Sequence, residues 1–197
     1  MTWIDAFHET RSKGGMPTYA LHDATLQNDE LRKKLKEQRF YAAWCEELIA
    51  YPQKDGVFAK EDLTDKNGNL NWYMPKKYIP KGAIGKKGIA LKIFIKELKD
   101  NNTVIIPRKI DILYDFPQKD GLYDFDAKTL MPINRPPKSA DYWAGRYLWR
   151  WDEQCVRPLC RYDVFDYYRR IVGAYRSPDG SRLGVGVVEP QANKEDI

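Results

Sequence analysis

The stretch KKYIPKGAIGKKGIALKIFIKELKDNNTVIIPRK, from Lys76 to Lys109, combines the densest positive charge of the chain with its heaviest apolar run. It holds ten lysine or arginine residues against two acidic residues, a net charge of +8. Since the whole chain carries +5, the other 163 residues together carry −3. The charges alternate with isoleucine, leucine and phenylalanine, so the lysines lie on an element that the core holds. This pattern predicts a fixed basic surface that binds phosphates or an acidic protein.

The contacts of that surface are expected from its lysines and from an aromatic segment nearer the C-terminus. Tryptophan, tyrosine and arginine are enriched at protein interfaces, and residues 141–176 are rich in all three. The partners expected are other protein subunits and DNA or RNA. The predicted binding residues are Lys81, Lys86, Lys87, Lys92, Lys96, Trp143, Trp149, Arg150 and Trp151.

Residues 89–98 fit two different periods. Lys92, Lys96 and Lys99 make a helical stripe, whereas the apolar residues between Ile89 and Ile95 alternate as in a strand. The isoleucine content favours the strand.

The four residues from Gly85 to Gly88 spell GKKG, and the run IGKKGIALKIFIKEL resembles the glycine loop and following helix of KH domains. In that family the loop lets the backbone approach nucleic-acid phosphates closely while basic residues bind them. The resemblance therefore implies a helix after Gly88 and a role in nucleic-acid binding.

Two helices are predicted elsewhere. The segment DELRKKLKEQRFYAAWCEELIAY, Asp29 to Tyr51, has apolar residues at spacings of three and four and is capped by Asn28, which indicates one long helix. Trp143, Tyr147 and Trp151 share a helical spacing that predicts a second helix over residues 140–154. With strands elsewhere, the expected fold is α+β, an antiparallel sheet flanked by one long N-terminal helix and one or two further helices.

Turn signals place the strands. The pentapeptide PQKDG occurs twice, at Pro52–Gly56 and Pro117–Gly121, and combines a proline with Asp-Gly, so each copy predicts a chain reversal. An Asn-Gly pair within residues 65–75 indicates a hairpin, and another hairpin is expected around Ser177–Gly180. Residues rich in β-branched and aromatic side chains after Thr103 and after Gly121 predict further strands.

Domain organisation and location follow from composition. Residues 1–26 are expected to be an extended arm that docks on this chain or on a neighbour, residues 27–188 a single α+β domain, and residues 189–197 a polar tail. No apolar run is long enough for a membrane span, the N-terminus lacks a secretory signal, and three cysteines make no disulfide framework. We expect a cytoplasmic or virion protein that is not secreted and has no membrane partner.

The leading interpretation is a non-enzymatic subunit of a larger assembly, such as a virion or a nucleoprotein particle, without a cofactor. The alternative is enzymatic. Asp115, Asp126 and Lys128 resemble the acidic cluster of PD-(D/E)xK nucleases, since Asp126 to Lys128 reads DAK and Asp115 lies eleven residues earlier. That resemblance implies Mg²⁺ bound by the carboxylates, with the lysine orienting the attacking water.

Overall fold

The computed structural model describes residues 2–37, 42–53, 56–65, 71–139, 145–149, 154–164 and 168–173, and these form mostly β-sheet. Their three helices are short: α1 (Trp3–Arg11), α2 (Tyr19–Gln27) and α3 (Asp29–Glu37). Their strands are β1 (Ala42–Tyr51), β2 (Leu63–Thr64), β3 (Tyr73–Met74), β4 (Ala90–Lys99), β5 (Val104–Leu113), β6 (Gly121–Phe125), β7 (Pro132–Ile133), β8 (Arg146–Trp149), β9 (Cys155–Val164) and β10 (Tyr168–Gly173).

The strands are hydrogen-bonded in the order β2-β3-β5-β4-β1-β9-β10-β8-β6-β7. Two neighbouring pairs are parallel, β3 with β5 and β10 with β8, and the others are antiparallel. The described residues therefore form a mixed, sheet-rich fold. The prediction of an antiparallel sheet flanked by one long N-terminal helix is wrong.

The predicted long helix divides into two elements. Helix α3 ends at Glu37, strand β1 begins at Ala42, and residues 38–41 lie outside the described residues. From Trp44 to Tyr51 every residue is buried except Glu46, which is half-buried.

Strand β1 is covered on both faces and paired on both edges, with β4 and with β9. A strand buried in this way has almost no polar face, and its sequence is a continuous apolar run. When nearly every position is apolar, some of them fall at helical spacing by chance. The agreement of Ala42, Cys45 and Ile49 with a period of 3.6 was therefore uninformative.

Residues Ala90–Lys99 form strand β4, which confirms the prediction of a strand over residues 89–98. Leu91, Ile93 and Ile95 belong to the buried cluster that includes α1, whereas Ala90 belongs to a second cluster that includes the start of α2. The two clusters lie on opposite faces of the sheet because successive side chains of a strand alternate.

The prediction of a helix over residues 140–154 is also wrong for the residues of this range that the structure describes. Residues 146–149 form β8, which pairs with β10 and β6, and Leu148 is buried while Tyr147 is half-buried. Trp143 and Trp151, which suggested the helical spacing, lie outside the described residues. So do the predicted hairpin at residues 177–180 and the polar tail.

The hairpin predicted around the Asn-Gly pair and the first PQKDG turn are confirmed, although residues 66–70, which include the Asn-Gly pair, lie outside the described residues. Strands β2 and β3 pair across the Asn-Gly segment, with Leu63 opposite Met74. In the first PQKDG copy the N–H of Gly56 donates to the carbonyl oxygen of Gln53 at 2.8 Å, and Gly56 has φ of +80°. Because β1 and β5 both run antiparallel to β4, the two PQKDG copies leave the sheet at the same end. A Cβ on Gly56 would lie 3.4 Å from Oε1 of Gln118 in the second copy.

The N-terminal residues form α1 and α2 where an extended arm was expected, and they dock on their own chain. Trp3 is fully buried, and its Nε1 donates to the carbonyl oxygen of Cys45 in β1 at 2.9 Å. Its ring stacks on Phe7 and meets Trp72 edge-on, with centroids 5.1 and 5.2 Å away. The boundaries proposed for the arm, the domain and the tail stay a prediction.

We expect Trp3→Ala to lower the free energy of unfolding by about 3–5 kcal/mol, because the substitution empties a large buried site and removes the hydrogen bond to β1. Urea denaturation measures this loss. Trp3→Phe keeps a ring in the site and should cost less. If Trp3→Ala were as stable as the wild type, α1 would not be part of the core.

Candidate anion-binding surface

The ten basic residues of the segment from Lys76 to Lys109 do not form one patch. Four of them pair with carboxylates: Lys92 with Glu47, Lys99 with Glu97, Arg108 with Glu46, and Lys109 with Asp111. Six are exposed and form no ion pair with another described residue: Lys76, Lys77, Lys81, Lys86, Lys87 and Lys96.

Lys92 lies inside the protein, although its sequence context suggested a binding residue. Its side chain is only 6% exposed, and Nζ lies 3.0 Å from Oε1 of Glu47, which is itself buried. The Glu47 carboxylate also accepts the backbone N–H of Tyr19, at 2.9 and 3.2 Å from its two oxygens. Lys92 is therefore a structural residue that connects β4 to β1 and to the start of α2.

Lys96 is exposed but remote from Lys86 and Lys87. It lies eight residues beyond Gly88 along β4, which corresponds to about 26 Å in an extended strand. Its carbonyl oxygen accepts a hydrogen bond from Nη2 of Arg11, so this end of β4 lies beside α1. Lys96 cannot share one small binding site with Lys86 and Lys87.

The five remaining lysines lie on residues 76–88, which we call the lysine loop. The loop leads into β4 at the end of the sheet where β1 and β5 end, since Ala50 pairs with Leu91 and Leu113 pairs with Ala90. It begins with a 3-10 turn at Lys76–Tyr78 and continues through further turns. The loop contains no acidic residue.

Backbone contacts hold the lysine loop on the sheet. The N–H of Gly85 donates to the carbonyl oxygen of Phe58 at 3.4 Å, and the carbonyl oxygen of Gly88 accepts from the N–H of Phe116 at 2.8 Å. Ile79 and Ala83 are buried in the core cluster that includes α1. The loop is therefore fixed by its backbone and apolar side chains, while its ammonium groups are exposed.

Glycine is needed in the GKKG sequence for its backbone conformation. Gly85 and Gly88 have φ of +74° and +67°, which L side chains rarely adopt, although a Cβ at either position would meet no atom within 4 Å. The KH resemblance ends at these four residues. The segment after Gly88 is strand β4, so the helix that the resemblance implied is absent and that part of the prediction is wrong.

An aromatic side chain that was not among the predicted binding residues borders the lysine loop. Tyr114, just after β5, is 57% exposed, and Nζ of Lys86 lies 5.7 Å from the centroid of its ring. The neighbouring Asp115 is also exposed and places a negative charge beside this end of the loop. The sequence around Tyr114 does not predict its exposure, because the turn at Asp115 is held by hydrogen bonds to Gly88 and Asn134, which are distant in the sequence.

The other predicted contact residues cannot be placed. Trp143, Arg150 and Trp151 lie outside the described residues, and Trp149 is described only as part of the β8 backbone. Their role at an interface stays a prediction.

Asp126 and Lys128, from the nuclease alternative, lie in the turn between β6 and β7. Oδ1 of Asp126 accepts the backbone N–H groups of Lys128 and Thr129 at 3.1 and 2.7 Å. The N–H of Thr129 is the main reason that the pKa of Asp126 lies below its ordinary value of 3.8. This carboxylate closes a turn.

Asp115 lies two residues beyond β5, in a turn with φ of +51°, and not on the strand that the nuclease interpretation expected. Within the described part of the chain, no three His, Cys, Asp or Glu side chains are arranged to hold a metal ion. The described geometry gives the Mg²⁺ alternative no support.

Comparison of this chain with protein-family models, with curated proteins and with solved structures finds no match. None of the helices in the described ranges has the length and apolar composition needed to cross a lipid bilayer. What the lysine loop binds is therefore inferred from its own geometry and charge.

We expect Lys92→Ala to lower the free energy of unfolding by about 3–5 kcal/mol, because it leaves the Glu47 carboxylate buried without its cation. The control Lys86→Ala, on the surface, should change stability by no more than about 0.5 kcal/mol. The double replacement Glu47→Gln with Lys92→Met removes both charges and should recover much of the loss. Equal stability of the two alanine variants in urea would show that Lys92 is not buried as described.

Asp126→Ala should cost about 1 kcal/mol at pH 7, since hydrogen bonds to a partly exposed carboxylate are weakened by solvent. The lowered pKa means that the Asp126 charge stabilises the fold above pH 3.8, and that this contribution is lost as pH falls through the folded-state pKa. Urea denaturation at several pH values should therefore show the difference shrinking in acid. A difference that is constant with pH would contradict the turn-closing role of the ionised carboxylate.

Proposed function

We propose that this chain is a non-enzymatic interaction subunit of a larger assembly, and that its lysine loop binds the phosphates of nucleic acid. The proposal rests on the difference between Lys92, which is buried and paired with a carboxylate, and the loop lysines, which are exposed and form no ion pair with another described residue. Lys92 is paired inside the protein, while five lysines on thirteen residues are exposed without a carboxylate partner among the described residues. The loop alone carries +5, equal to the net charge of the whole chain.

A fixed loop suits this role for two reasons. Unpaired ammonium groups keep their full charge for a ligand, whereas a paired lysine must first give up its own carboxylate. A backbone already held by Phe58 and Phe116 loses less conformational entropy on binding than a free tail. Lysine binds phosphate as a point charge, so the loop needs no particular base sequence.

The rest of the proposal concerns assembly. The aromatic segment with Trp143, Trp149, Arg150 and Trp151 has the composition of a protein interface, and we assign it to contacts with other subunits. An acidic protein surface would also satisfy the charge of the lysine loop. Nucleic acid is favoured because the five lysines are close in sequence and the loop contains no acidic residue.

The test is binding of a labelled oligonucleotide at a series of salt concentrations. Replacing Lys81, Lys86 and Lys87 by glutamine should weaken binding and reduce the slope of log K against log salt by about 2–3, since each phosphate contact contributes about 0.7–0.9. A matched control replaces Lys13, Lys34 and Lys128, which are exposed and lie outside the loop, and removes the same total charge.

The control variant should bind with nearly the affinity and salt slope of the wild type. The proposal fails if the wild-type chain does not bind nucleic acid at low salt. It also fails if both triple variants lose equal affinity, because binding would then depend on total charge and not on the lysine loop.

A further inference from the structure

The surface beside the lysine loop presents an aromatic ring next to an unpaired cation. We infer that Tyr114 is a stacking platform for an unpaired base, so that the ligand of the lysine loop is single-stranded nucleic acid. This inference rests on the function proposed above and specifies its substrate class.

Tyr114 is held in place although its side chain is exposed. Two residues later Phe116 is fully buried, packs against Tyr51 with ring centroids 6.1 Å apart, and donates its N–H to Gly88. Between them, the carbonyl oxygen of Asp115 accepts the N–H of Asn134 at 2.6 Å. The backbone that carries Tyr114 is therefore tied both to the lysine loop and to the segment after β7.

The turn that exposes Tyr114 has an unfavourable conformation. Asp115 has φ of +51°, a region that costs energy for residues other than glycine and is tolerated best by asparagine and aspartate. This conformation ends the strand and lets Phe116 enter the core, while Tyr114 stays 57% exposed, the largest exposed fraction of any large apolar side chain in the described ranges. An exposed ring on a rigid turn suits stacking because little side-chain entropy is lost.

The charges near Tyr114 determine the path that a bound single strand of nucleic acid would take. Nζ of Lys86 lies over one face of the ring, 5.7 Å from its centroid, so a base that stacks on the other face would have this cation close to its phosphate. Asp115, the next residue along the chain, is exposed and would repel a phosphate placed beside it. Stacking on an aromatic side chain combined with a basic surface is the general mode of single-strand binding. Paired bases in a duplex cannot present their faces to Tyr114.

Fluorescence anisotropy with a labelled oligothymidylate and with a fully paired duplex of the same number of nucleotides tests the inference. Tyr114→Ala should weaken single-strand binding roughly 5- to 150-fold, the range expected when one stacked base is lost, and should leave duplex binding unchanged. Tyr114→Phe keeps the ring and should bind like the wild type. The salt slope should be unaltered in both variants, because neither removes a charge.

Asp115→Asn provides a second variant that preserves the turn, since asparagine tolerates the same positive φ. It should tighten binding of the oligothymidylate, because a negative charge beside the phosphate is removed.

A Tyr114→Ala variant whose urea midpoint matches that of the wild type excludes misfolding as the cause of lost binding.

The outcomes separate the two proposals. If the wild type binds both nucleic acids and Tyr114→Ala has no effect, or weakens both equally, the stacking inference is overturned while the phosphate-binding function stands. If the wild type binds neither nucleic acid at low salt, both proposals are overturned.

Discussion

The ion pair between Glu47 and Lys92 is the constraint on which the rest of the structure depends. Both side chains are buried, and a buried charge is tolerated only when it is paired and hydrogen-bonded. Glu47 lies on β1 and Lys92 on β4, the two neighbouring strands at the centre of the sheet, and Glu47 also binds the first turn of α2 through Tyr19. Three elements are therefore positioned by one carboxylate. Sliding β4 by one residue would put Lys92 into the apolar cluster on the opposite face.

Two other buried ion pairs join residues that are still further apart in the sequence. Arg146 of β8 meets Asp23 of α2, with Nη2 and Oδ1 3.2 Å apart, and Arg157 of β9 meets Asp65 beyond β2, with Nε and Oδ1 3.3 Å apart. Each joins a strand to an element outside its own hairpin. Such pairs add little net stability, but breaking one leaves an uncompensated buried charge, so they penalise alternative registers. The loop lysines form no ion pair with another described residue, and we therefore propose that their charges bind a ligand.

Local signals in the sequence predicted local structure well. The Asn-Gly hairpin, the first PQKDG turn, and strands β4, β5 and β6 follow from turn chemistry and β-branched content that act within a few residues. Strand β1 was misread because its pattern is set by burial on both faces, and burial depends on partners that the period alone does not reveal. Predicting β8 as helix had a similar cause, since its pairing with β10 and β6 is not encoded in its own four residues.

The candidate surface was predictable only in part. The sequence shows how many lysines the segment has, but not which way each side chain points. Lys92 and Lys96 lie four residues apart in β4, yet one faces a carboxylate 45 residues away and the other is exposed. Tyr114 could not be selected at all, since its position beside Lys86 arises from the hydrogen bond between Phe116 and Gly88.

The central claim is that one lysine of the segment is internal and that the lysines of the loop are free to bind phosphate. Amine-specific labelling followed by mass spectrometry, with and without an oligonucleotide, tests it directly. We predict that Lys92 stays unlabelled until the protein unfolds, that Lys81, Lys86 and Lys87 react quickly and become protected by the oligonucleotide, and that Lys13 and Lys34 react equally in both samples. Labelling of Lys92 at the rate of Lys86, or protection spread evenly over all surface lysines, would contradict it.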